Sequence, residues 1–339
     1  MQYDEVLKNA RKTILNCKAC PECNGLACGN TLPGPGSKAP GNGANDNWRA
    51  WKAIKLNVDT FVPDADVDTS FSLFGKTFRL PVLSGPIGSM MQYSKEDVTV
   101  DFNDAVIQAC AEEGIIASFG DGIRGETMEG GFASIARHQY AGVIPILNPI
   151  PNDEIRKRIE YLEPSSAFAV SVVVDSAGLG HWKFNDRLRP GSKTVSDLKF
   201  LRSCTKKPFL VKGIMTAKAA EQAVEAGADG IIVSNHGGRV LADTPATAEV
   251  LPEIVHAVKG QTAIIVDGGI RNGTDLVKAL ALGADAVLIC RPFAVAWFGG
   301  GVDGVKAYIE KIREEFSDAM YMVGARRLSD LCPEMIRLP

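Results

Sequence analysis

From about residue 78 the chain alternates short apolar runs with longer mixed stretches. The apolar runs are 80–84, 115–119, 143–147, 168–174, 209–212, 230–234, 263–267 and 286–290. Their near-continuous Val, Ile and Leu character is that of parallel strands covered on both faces. Between and after them, helices are predicted over 102–113, 126–137, 153–162, 195–203, 217–226, 247–258, 274–282 and 304–322. Several of these are rich in Ala, Glu, Lys and Leu, which carry good helix propensity. Gly227 and Gly283 each fall where a helix ends, just before the next strand. Eight such units predict an α/β chain closed as a (β/α)8 TIM barrel, with an open doubly wound sheet as the alternative.

Residues 1–77 depart from this rhythm, so the chain divides into an N-terminal extension (1–77) and a barrel (78–339). Four cysteines, Cys17, Cys20, Cys23 and Cys28, crowd the extension. The following run, 33–47, is too rich in Gly and Pro for regular structure. Apolar content resumes at Trp48, Trp51, Ile54 and Leu56, which suits a segment capping the barrel. A second long irregular stretch, 175–193, follows the fourth strand; its length favours a functional segment.

Composition narrows the class. An apolar fraction of 45% with 23% charged residues is ordinary for a globular protein, and a net charge of −3 offers no footprint for nucleic acid. No apolar run approaches the roughly 20 residues that cross a bilayer. The first residues lack the charged start and apolar core of a signal peptide, so a cytoplasmic location is expected. Eight cysteines without an export signal point to metal or redox use, not to disulfides.

Candidate chemistry gathers at the predicted strand ends, which converge on one mouth of a barrel. Lys212 ends an apolar run, where a cation is costly without an electron-rich partner. His236 and Arg239 share a glycine-rich turn after the sixth strand; histidine moves protons near neutral pH and arginine grips carboxylates. Asp267, Gly269 and Arg271 follow the seventh strand and Arg291 the eighth. Loops after those two strands of a barrel often bind phosphate, through bared N–H groups and guanidinium forks. The set suits an anionic cofactor and a small anionic substrate.

The motifs Val211-Lys212-Gly213, Ser234-Asn235-His236-Gly237-Gly238-Arg239, Asp267-Gly268-Gly269-Ile270-Arg271 and Arg291-Pro292 resemble the FMN-dependent 2-hydroxy-acid oxidases and dehydrogenases, the glycolate and lactate oxidase type. The resemblance is dense over 208–331 and weaker upstream. It implies FMN held along Gly85, Pro86, Ile87 and Ser118, with Lys212 at the flavin N1/O2 edge. Ser234 would line the cofactor, Asp267 would meet the ribityl chain, and Gly269, Arg271 and Arg291 would hold the phosphate. His236 becomes the catalytic base, Asp175 its orienting partner and Arg239 the carboxylate anchor. The family also suggests a homo-oligomer, a tetramer.

Departures cluster where substrate would sit. Asn148 stands for the family's glutamine, and no tyrosine follows it. His181 or Trp182 replaces an arginine, Val173 a threonine, and Phe119-Gly120-Asp121-Gly122 a Ser-rich, Trp-containing turn. The cofactor site is thus retained while the substrate site is rebuilt. The cysteine cluster is foreign to the oxidases compared. Its first three cysteines share the spacing of ferredoxin-type iron–sulfur ligation while the fourth departs from it, and a structural zinc is the rival. The sequence therefore predicts FMN-dependent oxidation of a 2-hydroxy acid, with electrons passing to an acceptor by way of an iron–sulfur centre. An isomerase like the type 2 isopentenyl diphosphate isomerases and a non-catalytic flavin module are the alternatives.

Overall fold

A computed structural model describes residues 1–28, 43–122, 124–179 and 188–339. Residues 33–42 of the Gly/Pro-rich run, and His181 and Trp182, lie outside the described residues. Eight parallel strands form one sheet: Val82–Ser84, Ala117–Gly120, Val143–Leu147, Val170–Val173, Phe209–Ile214, Gly230–Val233, Ala263–Val266 and Ala286–Ile289. Chain order runs around the sheet, and the last strand pairs with the first, Val287 opposite Val82. The first and second strands meet at Leu83 and Ile116, where the Ser84 N–H donates to the Ile116 carbonyl at 3.0 Å. The barrel is thereby nearly closed, as the eightfold pattern predicts.

Period-two alternation sorts the side chains into two apolar layers. Leu83, Ile116, Ile144, Ile146, Val173, Leu210, Ile232, Ile265 and Leu288 fill the barrel interior. Val82, Ala117, Val143, Val172, Val211, Ile231, Val266 and Val287 face the surrounding helices. A hairpin, Phe71–Leu73 with Lys76–Phe78, adds Phe71, Leu73 and Phe78 to the interior cluster, and Phe78 meets Phe168 edge-on at 5.3 Å between ring centroids.

The helices Val195–Ser203 and Thr247–Val258 coincide with the predicted spans. Two sequence expectations need correction. Ala44–Ala53 is helical, so the irregular run ends before Ala44: the carboxylate of Asp46 caps the Gly43 N–H at 2.9 Å and starts the helix. The last helix spans Arg291–Met322, with non-helical backbone at Gly300 and Gly301; these glycines hid its first half. A Cβ at Gly299 would lie 2.1 Å from the Val6 carbonyl oxygen, so glycine there admits the helix Tyr3–Thr13. That helix was not foreseen, although its apolar face of Val6, Leu7 and Ala10 is fully buried.

Candidate active site

The same alternation that fills the barrel aims the mouth. Two residues beyond the interior Leu210, Ile232 and Ile265 come Lys212, Ser234 and Asp267, on the same inward face. They form a buried chain: Lys212 Nζ donates to Ser234 Oγ at 2.6 Å, and Ser234 Oγ donates to Asp267 Oδ2 at 2.9 Å. Lys212 Nζ also reaches Asp267 Oδ2 directly at 2.9 Å. Burial pulls the lysine pKa down, but Asp267 and Asp175 outweigh it and hold it above the ordinary value. Lys212 therefore stays a cation deep in the mouth.

Asp175 lies two residues beyond the interior Val173, and its Oδ1 is 2.9 Å from His236 Nδ1. A carboxylate only accepts, so Nδ1 carries the hydrogen and Nε2 is left as the basic nitrogen. His236 itself adopts φ 56°, and its N–H donates to Ser234 Oγ at 3.1 Å. The two glycines that follow are also left-handed, with φ of 66° and 76°. This tight turn places His236 beside the Lys212–Ser234–Asp267 chain.

Arg239 and Arg291 have no ion-pair partner among the described residues. Burial lowers the pKa of Arg239, and the nearby Arg291 adds to that. Two guanidinium groups sharing one region, neither paired with a carboxylate among the described residues, make a receptor for anions. Arg271 is differently placed. Its Nε donates to the Cys23 carbonyl at 2.6 Å and its Nη1 to the Ile270 carbonyl at 2.7 Å.

The remaining predicted residues sit as follows. A Cβ at Gly85 would come 2.7 Å from Cys290 Cβ, so only glycine lets the first strand's end pack against the eighth. Pro86 accepts a weak contact from the Cys290 thiol at 3.5 Å, and Ile87 is buried. Ser118 bonds to Ser84 through both its N–H and its hydroxyl. Gly269, at φ 83°, lies under Asn47 and Trp48 of the N-terminal segment. Asn148 is fully engaged by protein: its Nδ2 donates to Asp121 and its Oδ1 accepts from Ser176 Oγ at 2.7 Å.

Asp121 is the residue whose importance the sequence concealed. It is buried, paired with Arg158, and accepts from both the Asn148 amide and side chain. Burial pushes its pKa up to about 6, against the opposing pull of Arg158 and Asn148. Its signal was the one that marked Asp175 and Asp267, a carboxylate just past an apolar strand.

The N-terminal segment covers the mouth beside the loops after the sixth and seventh strands. Trp51 Nε1 donates to the Gly268 carbonyl at 2.7 Å, and Asn47 Nδ2 to Asn235 Oδ1 at 2.8 Å. Glu22 is held by Lys52 at 3.0 Å and by Asn272 Nδ2 at 3.1 Å. The four cysteines line a single cavity beside Arg271 and Pro292. Among the described residues no three His, Cys, Asp or Glu groups stand close enough to hold a metal ion. The tetrahedral zinc expectation therefore does not fit the arrangement.

Asp175 Oδ2, Asp267 Oδ1 and Arg271 Nη2 are buried without any hydrogen-bond partner. Buried polar atoms are nearly always paired, so these orphans fit a bound polar molecule. An acceptor for hydroxyls, a buried cation and unpaired guanidinium groups suit the polyol, ring edge and phosphate of FMN.

Known proteins carry the same pattern. The model of the FMN-dependent dehydrogenases matches residues 36–181 and 163–338. The chain belongs to that family. The peroxisomal (S)-2-hydroxyacid oxidase GLO3 of Arabidopsis thaliana is 34% identical over 318 residues, covering 86% of this chain and 87% of the relative. The 2-hydroxyacid oxidase 1 of Mus musculus is 32% identical over 335 residues, with coverage of 86% and 87%. A mandelate oxidase variant solved with a monooxide FMN adduct superposes at a TM-score of 0.76 and 27% identity, covering 92% of this chain and 98% of that one. This member of the FMN-dependent dehydrogenase family is an FMN-dependent oxidoreductase. No helix among its described residues is long and apolar enough to cross a membrane.

Proposed function

We propose that this protein oxidises a small 2-hydroxy acid to the 2-oxo acid, with His236 as base, Asp175 as its orienting partner and Arg239 as carboxylate anchor. The observation that carries the reading is the His236–Asp175 pair at 2.9 Å, set beside a buried cation and an unpaired arginine. FMN supplies a two-electron acceptor when bound. Gly85, Pro86, Ile87 and Ser118 would line its ring, with Asn148 acting through Asp121 and Ser176. Lys212 would face the electron-rich ring edge, Ser234 and Asp267 the polyol, and Gly269, Arg271 and Arg291 the phosphate.

The substrate gives up two electrons and two protons. His236 Nε2 would take one proton from the hydroxyl or the α-carbon, the other proton would pass with the two electrons to bound FMN, and Asp175 would balance the imidazolium that forms. Arg239 holds the carboxylate in a planar, two-pronged grip and so fixes which hydrogen faces the ring. The rebuilt region around Asp121 and Asn148 sets which acid fits. Cys17, Cys20, Cys23 and Cys28 would hold an iron–sulfur centre, which would supply a one-electron path from the flavin to a carrier. The protein works as a homo-oligomer in the cytoplasm, although the Arabidopsis relative is named peroxisomal.

The isomerase and non-catalytic alternatives leave the His236–Asp175 pair without a task, and the relatives named above are oxidases. Anaerobic mixing of FMN-loaded protein with glycolate, lactate and mandelate tests the reading. Loss of visible flavin absorbance with at least one acid is expected. FMN-loaded protein that no 2-hydroxy acid bleaches overturns it.

A further inference from the structure

The cysteine segment is built into the phosphate end of the barrel, and Arg271 joins the two. Cys17, Cys20, Cys23 and Cys28 line one cavity of about 50 Å³, several times the roughly 10–15 Å³ that a single water needs. One of the four sulfurs already receives a backbone N–H group: the Ala19 N–H donates to Cys17 Sγ at 3.4 Å. Ala19 and Gly25 both have left-handed backbone, with φ of 41° and 82°. For Ala19 such a φ is strained, and the strain persists only where the surroundings require it. Hydrogen bonds of this kind stabilise sulfur in its thiolate state.

The cavity is also supplied with positive charge. Arg271 lines it, is 6% exposed, and leaves Nη2 buried without a partner. Lys18 and Lys311 line it too. Four thiolates around a metal–sulfur core leave net negative charge, which these cations would neutralise. A single ion is the poorer occupant. Four sulfurs about one zinc stand roughly 3.8 Å apart, as a Zn–S bond of about 2.3 Å in a tetrahedron requires. Among the described residues no three donors gather to hold one ion, although all four cysteines border the space.

We infer that Cys17, Cys20, Cys23 and Cys28 hold a multi-atom iron–sulfur core, and that this core and FMN bind cooperatively through Arg271. The inference rests on the FMN reading for its second half only. The core fixes the cysteine segment, and the Cys23 carbonyl in turn fixes Arg271 Nε. A guanidinium so held is pre-organised for a phosphate on its other side, which lowers the ordering cost of binding FMN. Coupling of this kind is reciprocal: FMN must stabilise the core by the same factor by which the core tightens FMN.

Full-length protein purified anaerobically tests both halves. Iron and acid-labile sulfide should be present in equal amounts. Cys20→Ser should lose both while keeping the secondary structure. Stripping the core from wild-type protein with a chelator should raise the FMN dissociation constant roughly tenfold. Removing FMN should speed iron loss to chelator in the same proportion. Protein that holds no iron as isolated, and takes up none from ferrous iron and sulfide under reducing conditions, overturns the core. Stoichiometric zinc also overturns it. Iron present with FMN affinity unchanged on stripping overturns the coupling. Protein that binds iron but never FMN rejects the coupling and the FMN reading while leaving the core intact.

Discussion

Gly213 and Asp175 are in contact across neighbouring strands: a Cβ on Gly213 would lie 2.8 Å from the Asp175 Cγ. Gly213 also holds φ 105°, where side chains are strained whatever the space. The residue after the buried lysine therefore has to be glycine for the carboxylate to reach His236. Gly213→Ala is expected to displace Asp175 while leaving FMN bound. A shift of about 1 Å can cost on the order of 10²-fold in rate. Anaerobic stopped-flow reduction of the flavin measures this, and a wild-type rate in the FMN-loaded variant would show that Asp175 is not an orienting group.

His236→Asn should keep FMN content and lose substrate-driven reduction by about 10²–10⁴-fold, the usual contribution of a general base. Asp175→Asn should fall less far. The asparagine can still bond Nδ1, but it supplies no charge to the imidazolium and can select the wrong tautomer. If His236→Asn reduces flavin at the wild-type rate with an acid that bleaches the parent, another base must be sought.

Lys212→Met removes the cation and leaves Asp267 buried without its charge partner. Breaking a buried pair from one side costs about 3–5 kcal/mol. The double variant Lys212→Met/Asp267→Asn should recover part of that stability, because no uncompensated charge remains. Denaturant unfolding of both variants without added FMN reads the difference. The pair matters at neutral pH: with a folded pKa above the unfolded one, the lysine's contribution holds through neutrality and is lost only as pH rises into the alkaline range. Equal stability of the single and double variants would mean the carboxylate finds another partner.

Most of the barrel was legible because most strands are runs of Val, Ile and Leu, several ending in a residue of opposite character, as Leu210-Val211-Lys212 shows. Alternation alone then puts Lys212, Ser234 and Asp267 on the interior face with Asp175. What escaped lies where glycine or local capping replaces periodicity. Gly300 and Gly301 interrupt the last helix, so its first turns at Arg291–Gly299 read as loop. The helix Ala44–Ala53 has no long apolar stripe, and it forms because Asp46 caps it and Trp51 is buried against the loop after the seventh strand. The meeting of the cysteines with Arg271 is a contact between residues 248 positions apart, which no local pattern encodes.

Asp121 offers the last test, because its charge state should be written into the pH dependence of folding. Burial raises its pKa from 3.8 to about 6, although Arg158 and Asn148 pull the other way. The unfolded chain releases this proton near pH 3.8 and the folded chain only near pH 6. Between those values the folded state therefore binds more protons than the unfolded state, so rising pH weakens the fold. A shift of this size amounts to about 3 kcal/mol across the window. Asp121→Asn has no proton to release and should remove that downward slope between about pH 4 and about pH 6, whatever it does to absolute stability. The ionised form above the window is the one paired with Arg158, and it anchors Asn148, whose Oδ1 accepts from Ser176, the residue next to Asp175. The same variant should therefore change substrate preference, read as KM across a series of 2-hydroxy acids, more than it changes FMN content. Urea unfolding at several pH values that gives one common slope for both proteins would show that Asp121 is ionised throughout, and that Arg158 outweighs its burial.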